Sequence, residues 1–151
     1  MAKILIVEDD PLVSRMYQKV LKFEGMDVIS AENGRDGVQT AKDQKPDLIL
    51  LDIMMPKMNG IEVLEHLKAD SEVAGIPVVM LTNLSGTQDA ENAMKSGAVD
   101  YLVKSQFKPK EVAEKVKEIM GKGTSSPNVQ EESEFSSEND KERDKKENSQ
   151  T

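Results

Sequence analysis

The chain has 151 residues, a length typical of one compact domain with a short extension. It contains no cysteine, which excludes disulfides, thiolate metal sites and cysteine nucleophiles, and its net charge of −8 argues against general electrostatic binding of nucleic acid. No apolar run is long enough for a membrane helix or for the core of a signal peptide, so we expect a cytoplasmic protein.

Short apolar runs alternate with helical patterns through the first 121 residues. In the first helical pattern Asp10 is typical of a cap and Pro11 of a first residue, and Leu12, Met16, Val20 and Leu21 recur at helical spacing. Four more helical patterns follow, and the last ends at Gly121. Strict alternation of five strands and five helices indicates an α/β fold with a parallel sheet covered on both faces. The predicted strands cover residues 3–7, 27–30, 47–51, 77–81 and 99–103.

The composition changes near residue 122. From there to Thr151 the chain is dominated by Ser, Glu, Asn, Asp, Lys and Gln, and only Val129 and Phe135 are strongly apolar. A segment with so few apolar residues cannot bury enough surface to offset its ordering entropy. The predicted organisation is therefore one domain over residues 1–121 and a disordered polar and acidic tail over residues 122–151.

Polar side chains follow four of the five predicted strands. Glu8 and Asp9 follow the first strand, Asp52 the third, Thr82 the fourth and Lys104 the fifth. Ligands of parallel sheets bind beyond these strand ends, so the side chains should converge if the four strands are neighbours. A divalent cation such as Mg²⁺ relieves the repulsion between close carboxylates, and a lysine and a threonine suit phosphoryl oxygens. An aspartate can attack phosphorus and carry the group as an acyl phosphate.

The segments ILIVEDD, ILLDIMMPKMNG, VVMLTN and GAVDYLVK, in this order, resemble the receiver domain of bacterial response regulators over residues 3–121. The resemblance implies a flavodoxin-like, doubly wound (βα)5 fold with strand order 2-1-3-4-5. It also implies that Asp52 is the phosphoacceptor and that Thr82 and Lys104 contact the phosphoryl oxygens.

The same resemblance implies Mg²⁺ as the cofactor. Asp9 and Asp52 would be direct ligands, Met54 would contribute its backbone carbonyl, and Glu8 would hold a water of the metal. Tyr101 would be a switch residue that moves inward together with the threonine of the site, although a purely structural tyrosine on a buried strand is a rival interpretation.

Two positions depart from the family pattern. Asn83 stands where Ala or Gly is usual, and its larger side chain can screen the phosphoryl group from water or from a donor. Ser105 stands where Pro is typical, commonly after a cis bond. Because a cis bond before a residue other than proline costs about 2.5–4 kcal/mol, we expect a trans Lys104–Ser105 bond and a different loop path.

The resulting hypothesis is a single-domain response regulator that takes a phosphoryl group from a histidine kinase or a histidine phosphotransfer protein. Its output would be a protein contact through the fourth helix, fifth strand and fifth helix. We expect a switch that promotes its own phosphorylation and dephosphorylation, and not a metabolic enzyme. A phosphorylation-independent interaction module is one alternative. An aspartyl-phosphate phosphatase or phosphotransferase is another, although 121 residues leave little room for a substrate-covering cap.

Overall fold

The described residues, 2–83 and 86–125 of a computed structural model, form strands and helices in regular alternation. The strands are β1 (Lys3–Val7), β2 (Asp27–Ala31), β3 (Leu48–Leu51), β4 (Val78–Thr82) and β5 (Asp100–Val103). The α-helices are α1 (Pro11–Phe23), α2 (Gly34–Gln44), α3 (Gly60–Ala69), α4 (Thr87–Lys95) and α5 (Pro109–Ser125). A turn of 3-10 helix over Lys104–Gln106 lies between β5 and α5.

The five strands form one parallel sheet with the order β2-β1-β3-β4-β5, which confirms the predicted fold class. Strands β1 and β3 are direct neighbours at its centre, with Val7 in register with Leu51. Because every strand points the same way, the carboxyl ends of β1, β3, β4 and β5 lie along a single edge. The residues that follow these four strands therefore share that edge.

Side chains alternate between two faces of the sheet, and each face carries its own apolar layer. The α2/α3/α4 face is defined by a buried cluster that includes Leu5, Val7, Ile49, Leu51, Val78 and Met80 of the strands with Ala41, Val63, Leu64, Leu67 and Ala93 of the helices. The α1/α5 face carries the alternate strand residues, among them Ile4, Ile6, Leu48 and Leu50, and the buried Tyr17, Leu21, Val112 and Val116 of the helices. Each fully buried aliphatic side chain contributes about 1.5–3 kcal/mol to folding.

Helix α1 begins beside the edge of the sheet where the carboxyl ends of the strands lie. Asp10 is its N-cap, and Asp10 Oδ1 accepts hydrogen bonds from the backbone N–H groups of Leu12 (2.9 Å) and Val13 (3.3 Å). The predicted capping role of Asp10 is confirmed. Its carboxylate therefore caps the helix and does not act together with the acids that precede it, Glu8 and Asp9.

Several predicted boundaries were wrong, most of them by one residue: β2 ends at Ala31 and not at residue 30, β3 begins at Leu48 and not at residue 47, and β4 covers Val78–Thr82 and not residues 77–81. Strand β5 begins at Asp100 rather than Val99, and the Val99 side chain is 45% exposed. Helix α5 continues to Ser125 instead of ending at Gly121, because the cost of a glycine in a helix, about 1 kcal/mol, does not by itself end one. The predicted tail lies almost wholly outside the described residues, so the boundary at residue 122 stays a prediction. Within the described ranges, no helix is long and apolar enough to cross a membrane.

Candidate active site

The fold brings Glu8, Asp52 and Lys104 into direct contact. Lys104 Nζ lies 2.6 Å from Glu8 Oε1 and 3.2 Å from Asp52 Oδ2. These partners are 96 and 52 residues away from Lys104 in sequence, so only the tertiary fold places them together. The Lys104 side chain is 13% exposed and the two carboxylates are less exposed still, which makes this a largely buried group of three charges.

Asp9 completes a cluster of three carboxylates. One oxygen of each of Glu8, Asp9 and Asp52 lies within 4.8 Å of the others, with Glu8 and Asp52 buried and Asp9 exposed. Magnesium binds oxygens at about 2.0–2.1 Å, so ligands on opposite sides of one ion lie about 4.2 Å apart. The three oxygens are confined to a separation only slightly above this maximum, and Asp9 lies on the exposed side of the cluster, where waters can coordinate the ion. The donor set therefore fits Mg²⁺.

Burial and the contact between Lys104 and Glu8 have opposite effects on the pKa values of these two residues. Burial raises the pKa of Glu8 and the Asp52 charge adds to this, while hydrogen bonds from Lys104 Nζ and from the Asp10 N–H (3.1 Å) only partly oppose it. Burial lowers the pKa of Lys104, but the hydrogen bond to Glu8 and the charge of Asp52 outweigh it, so this pKa lies above its usual value. Lys104 is therefore protonated at neutral pH and balances the buried acids.

The segment after Asp52 fixes the orientation of its carboxylate. The Met54 N–H donates to Asp52 Oδ1 at 3.1 Å, and the Gly60 N–H donates to the Ile53 carbonyl at 2.9 Å. A Cβ on Gly60 would lie 2.2 Å from the Asp52 carbonyl oxygen and 2.7 Å from the Ile53 Cα. Both neighbours are backbone atoms that cannot move aside, so the approach of α3 to this segment requires glycine.

Thr82 and Tyr101 lie on the α2/α3/α4 face of the sheet. Thr82 ends β4 and is fully buried, and alternation after Val78 and Met80 places it on the α2/α3/α4 face. Tyr101 pairs with Met80, two residues before Thr82, and packs half-buried against the cluster of that face. Burial raises the pKa of the Tyr101 hydroxyl, and the charges of Asp89 and Asp52 add to the effect. Thr82 and Tyr101 are thus diagonal neighbours on adjacent strands.

The other predicted residues lie at the rim. Asn83 is exposed directly after Thr82, and the Met54 side chain is exposed two residues after Asp52. Ser105 is exposed within the 3-10 turn, which the Phe107 N–H closes with a hydrogen bond to the Lys104 carbonyl at 3.5 Å. Phe107 is half-buried beyond that turn.

Sequence reasoning missed Tyr17, whose side chain is 3% exposed and interacts electrostatically with Lys104, Glu8 and Asp52. The helical spacing of Leu12 and Met16 did not identify the buried face of α1, since these side chains are 70% and 41% exposed. The buried residues of α1 are Ser14, Tyr17 and Leu21, spaced by three and four positions. This spacing was the sequence signal for the buried face of α1, but the polar Ser14 in the pattern made it difficult to recognise.

Comparison with known proteins agrees with this geometry. The family model for the response regulator receiver domain matches residues 4–117. The chain is 41% identical over 125 residues to the DNA-binding response regulator MtrA of Mycolicibacterium smegmatis, an alignment that covers 83% of this chain and 53% of that protein. The chain thus spans about half the length of the curated relatives it matches.

Two solved structures show the same architecture. A CheY-like response regulator receiver domain protein from Methanospirillum hungatei has a TM-score of 0.75 at 30% identity, covering 82% of this chain and 97% of that one. The BeF3-activated N-terminal receiver domain of Klebsiella pneumoniae RstA has a TM-score of 0.72 at 30% identity, covering 80% and 99%.

Proposed function

Since the chain belongs to the response regulator receiver domain family, we propose that it accepts a phosphoryl group on Asp52 in a Mg²⁺-dependent reaction. The observation that supports this most directly is the position of the Lys104 ammonium between Glu8 and Asp52. A buried cation held against a carboxylate, beside a cluster that fits a divalent ion, is suited to the charge of a transferring phosphoryl group. The proposed donor is a histidine kinase or a histidine phosphotransfer protein.

Asp52 is the proposed nucleophile. One of its carboxylate oxygens attacks the phosphorus of a phosphohistidine, and a P–O bond forms as the P–N bond to the imidazole breaks. The ring nitrogen keeps the electron pair of the broken bond, and the imidazole is protonated from solvent. The Met54 N–H and the Lys104 ammonium hold the carboxylate in place for this attack. Lys104 and the Thr82 hydroxyl would then bind phosphoryl oxygens.

Asp9, Asp52 and the backbone carbonyl of Met54 would hold the magnesium ion, with Glu8 binding one of its waters. The ion would supply neutralisation of the phosphoryl charge during the transfer. The chain's own contribution is to keep two acids buried and oriented before the donor arrives. Lys104 makes this arrangement stable, since its ammonium contacts both.

Thr82 and Tyr101 form the proposed output. A phosphoryl group on Asp52 attracts the Thr82 hydroxyl, and the Tyr101 ring follows on the same face of the sheet. The surface of α4, β5 and α5 then changes its preference for a protein target. We propose no direct contact with nucleic acid for this surface; the DNA binding named for MtrA is a property of that longer protein. A cytoplasmic switch without metabolic activity completes the proposal.

Labelling by acetyl phosphate with Mg²⁺ tests the assignment of Asp52. Wild type should gain one phosphoryl group by intact mass, and chelation of the metal should prevent this. Asp52→Asn should gain none. Asp47→Asn is the matched control, because Asp47 lies at the opposite end of β3, where its Oδ2 accepts a hydrogen bond from the Lys3 N–H at 2.8 Å. Equal labelling of Asp52→Asn and wild type would contradict the proposal.

A further inference from the structure

Tyr17 is a buried polar side chain that has no role in the phosphoryl transfer proposed above. It lies in the middle of α1, and its side chain is 3% exposed. Among the described residues, no hydrogen-bond partner of its hydroxyl is found. A buried hydroxyl without a partner carries a desolvation cost that phenylalanine would avoid at the same position. The hydroxyl therefore calls for a physical explanation.

Tyr17 shares one face of the sheet with the acids of the active site. Helical side chains point back toward the N-terminus of their helix, and α1 begins at the carboxyl end of β1 with Asp10 as its cap. Glu8 and Asp52 alternate with Val7 and Leu51, which belong to the α2/α3/α4 face, so both acids emerge on the α1/α5 face. Tyr17 is buried on that same face.

After burial, the charges of the active site have the largest effect on the pKa of the Tyr17 hydroxyl. Of the charged groups that act on Tyr17, Lys104 has the largest effect, followed by Glu8 and Asp52. The Lys104 ammonium has three N–H donors, and two are directed to Glu8 Oε1 and Asp52 Oδ2. One donor is left for an acceptor on the same face.

We propose that the Tyr17 hydroxyl is a positioning group for Lys104, accepting a hydrogen bond from its ammonium when the acids turn to other partners. The inference rests on the proposed function, in which Glu8 engages a magnesium-bound water and Asp52 carries the phosphoryl group. Lys104 then loses its 2.6 Å contact with Glu8 and must be held for the phosphoryl oxygens. Tyr17 is a buried polar side chain on the same α1/α5 face, within the electrostatic influence of Lys104.

A double-mutant cycle separates positioning from simple packing. Tyr17→Phe removes only the hydroxyl and should lower the phosphorylation rate at saturating acetyl phosphate and Mg²⁺ by about three- to tenfold, the size of one hydrogen bond. In a Lys104→Ala background the same change should alter the rate less than about twofold, since the group to be positioned is gone. Equal rate ratios in the two backgrounds would overturn the proposal.

Ser14→Ala is the matched control. Ser14 lies on the same buried face of α1, but its hydroxyl is already engaged, accepting a hydrogen bond from Gln18 Nε2 at 3.0 Å. Its removal should change the rate by the same factor with and without Lys104. Coupling of Ser14 to Lys104 as large as that of Tyr17 would mean that any loss of packing on α1 disturbs the site, and would overturn the specific role of Tyr17.

A second readout does not depend on turnover. The chain has two tyrosines and no tryptophan, so in a Tyr101→Phe background Tyr17 dominates the near-ultraviolet absorbance. Adding Mg²⁺ with beryllofluoride should give a tyrosine difference spectrum that disappears when Lys104→Ala is added. A spectrum that Lys104→Ala leaves unchanged, or the absence of any difference spectrum while Lys104 is intact, would contradict the proposal. Failure of Asp52 labelling in wild type would instead contradict the proposed function itself.

Discussion

Lys104→Ala should make the stability of the protein strongly dependent on pH. The substitution leaves Glu8 and Asp52 buried without their shared counter-charge. At an effective dielectric constant of about 20, two unit charges within 4.8 Å repel by about 3.5 kcal/mol. This agrees with the cost of about 3–5 kcal/mol usual for removing one partner of a buried ion pair.

Protonation of Glu8 limits that cost at low pH. The pKa of Glu8 is already raised from its usual value of 4.5, chiefly by burial, and loss of Lys104 raises it further. A carboxyl with a raised pKa in the folded state adds stability below its unfolded pKa, and this stability is lost as pH rises through the folded pKa. Protonating a carboxyl of pKa 4.5 costs about 0.7 kcal/mol at pH 5, so the charge penalty cannot exceed this there.

The assay is urea unfolding followed by circular dichroism between about pH 5 and pH 8. The destabilisation of Lys104→Ala relative to wild type should grow from about 1 kcal/mol to about 3.5 kcal/mol over this range, and Mg²⁺ should restore part of the loss at the upper end. Lys115→Ala is the control, because its contact with Asp100 is 3.9 Å long and partly exposed, and should change stability by less than about 1 kcal/mol. Parallel pH profiles of wild type and Lys104→Ala would refute the reasoning.

Three further substitutions test the geometry. Gly60→Ala should destabilise the protein by about 1–3 kcal/mol or more and slow labelling of Asp52, because its Cβ would overlap backbone; Gly75→Ala, with no atom within 4 Å of its added Cβ, should be nearly neutral in thermal unfolding. Thr82→Val keeps the shape of the side chain but removes the hydroxyl, so the amide shifts on adding beryllofluoride should no longer reach Tyr101; unchanged shifts there would disprove the coupling. Ser105→Pro should change the phosphorylation rate, since a proline disfavours a helical conformation in the preceding Lys104, which now begins a 3-10 turn; an unaltered rate and stability would count against this.

The parallel sheet is the reason that the convergence of Glu8, Asp52 and Lys104 could be predicted. Alternating strands and helices force all strand ends to one edge, so a residue needs only to follow a strand to be placed there. The order of the strands was beyond such reasoning and followed from the family resemblance. The cap at Asp10 was predictable because a cap depends on local chemistry alone.

The buried face of α1 could not be predicted from apolar periodicity. Leu12 and Met16 have the right spacing for a core stripe but are largely exposed, while Ser14 and Tyr17 are buried. Periodicity assumes that the face toward the sheet is the most apolar one. Near the start of α1 this assumption fails, because the helix borders a group of buried charges, and polar side chains there meet polar surroundings.

The path after Lys104 shows how distant contacts can replace a local signal. A family pattern with proline would set this loop through the backbone of the residue itself, and Ser105 supplies no such constraint. In the structure the Lys104 ammonium is nevertheless directed into the site, since Glu8 and Asp52 hold it from two other strands. Charges that are largely buried interact far more strongly than exposed ones, so these two contacts can outweigh the modest preferences of a short exposed turn. The orientation of the Lys104 ammonium is thus determined by its contacts with Glu8 and Asp52. This explains why a receiver fold can lose the proline and keep the arrangement of its site.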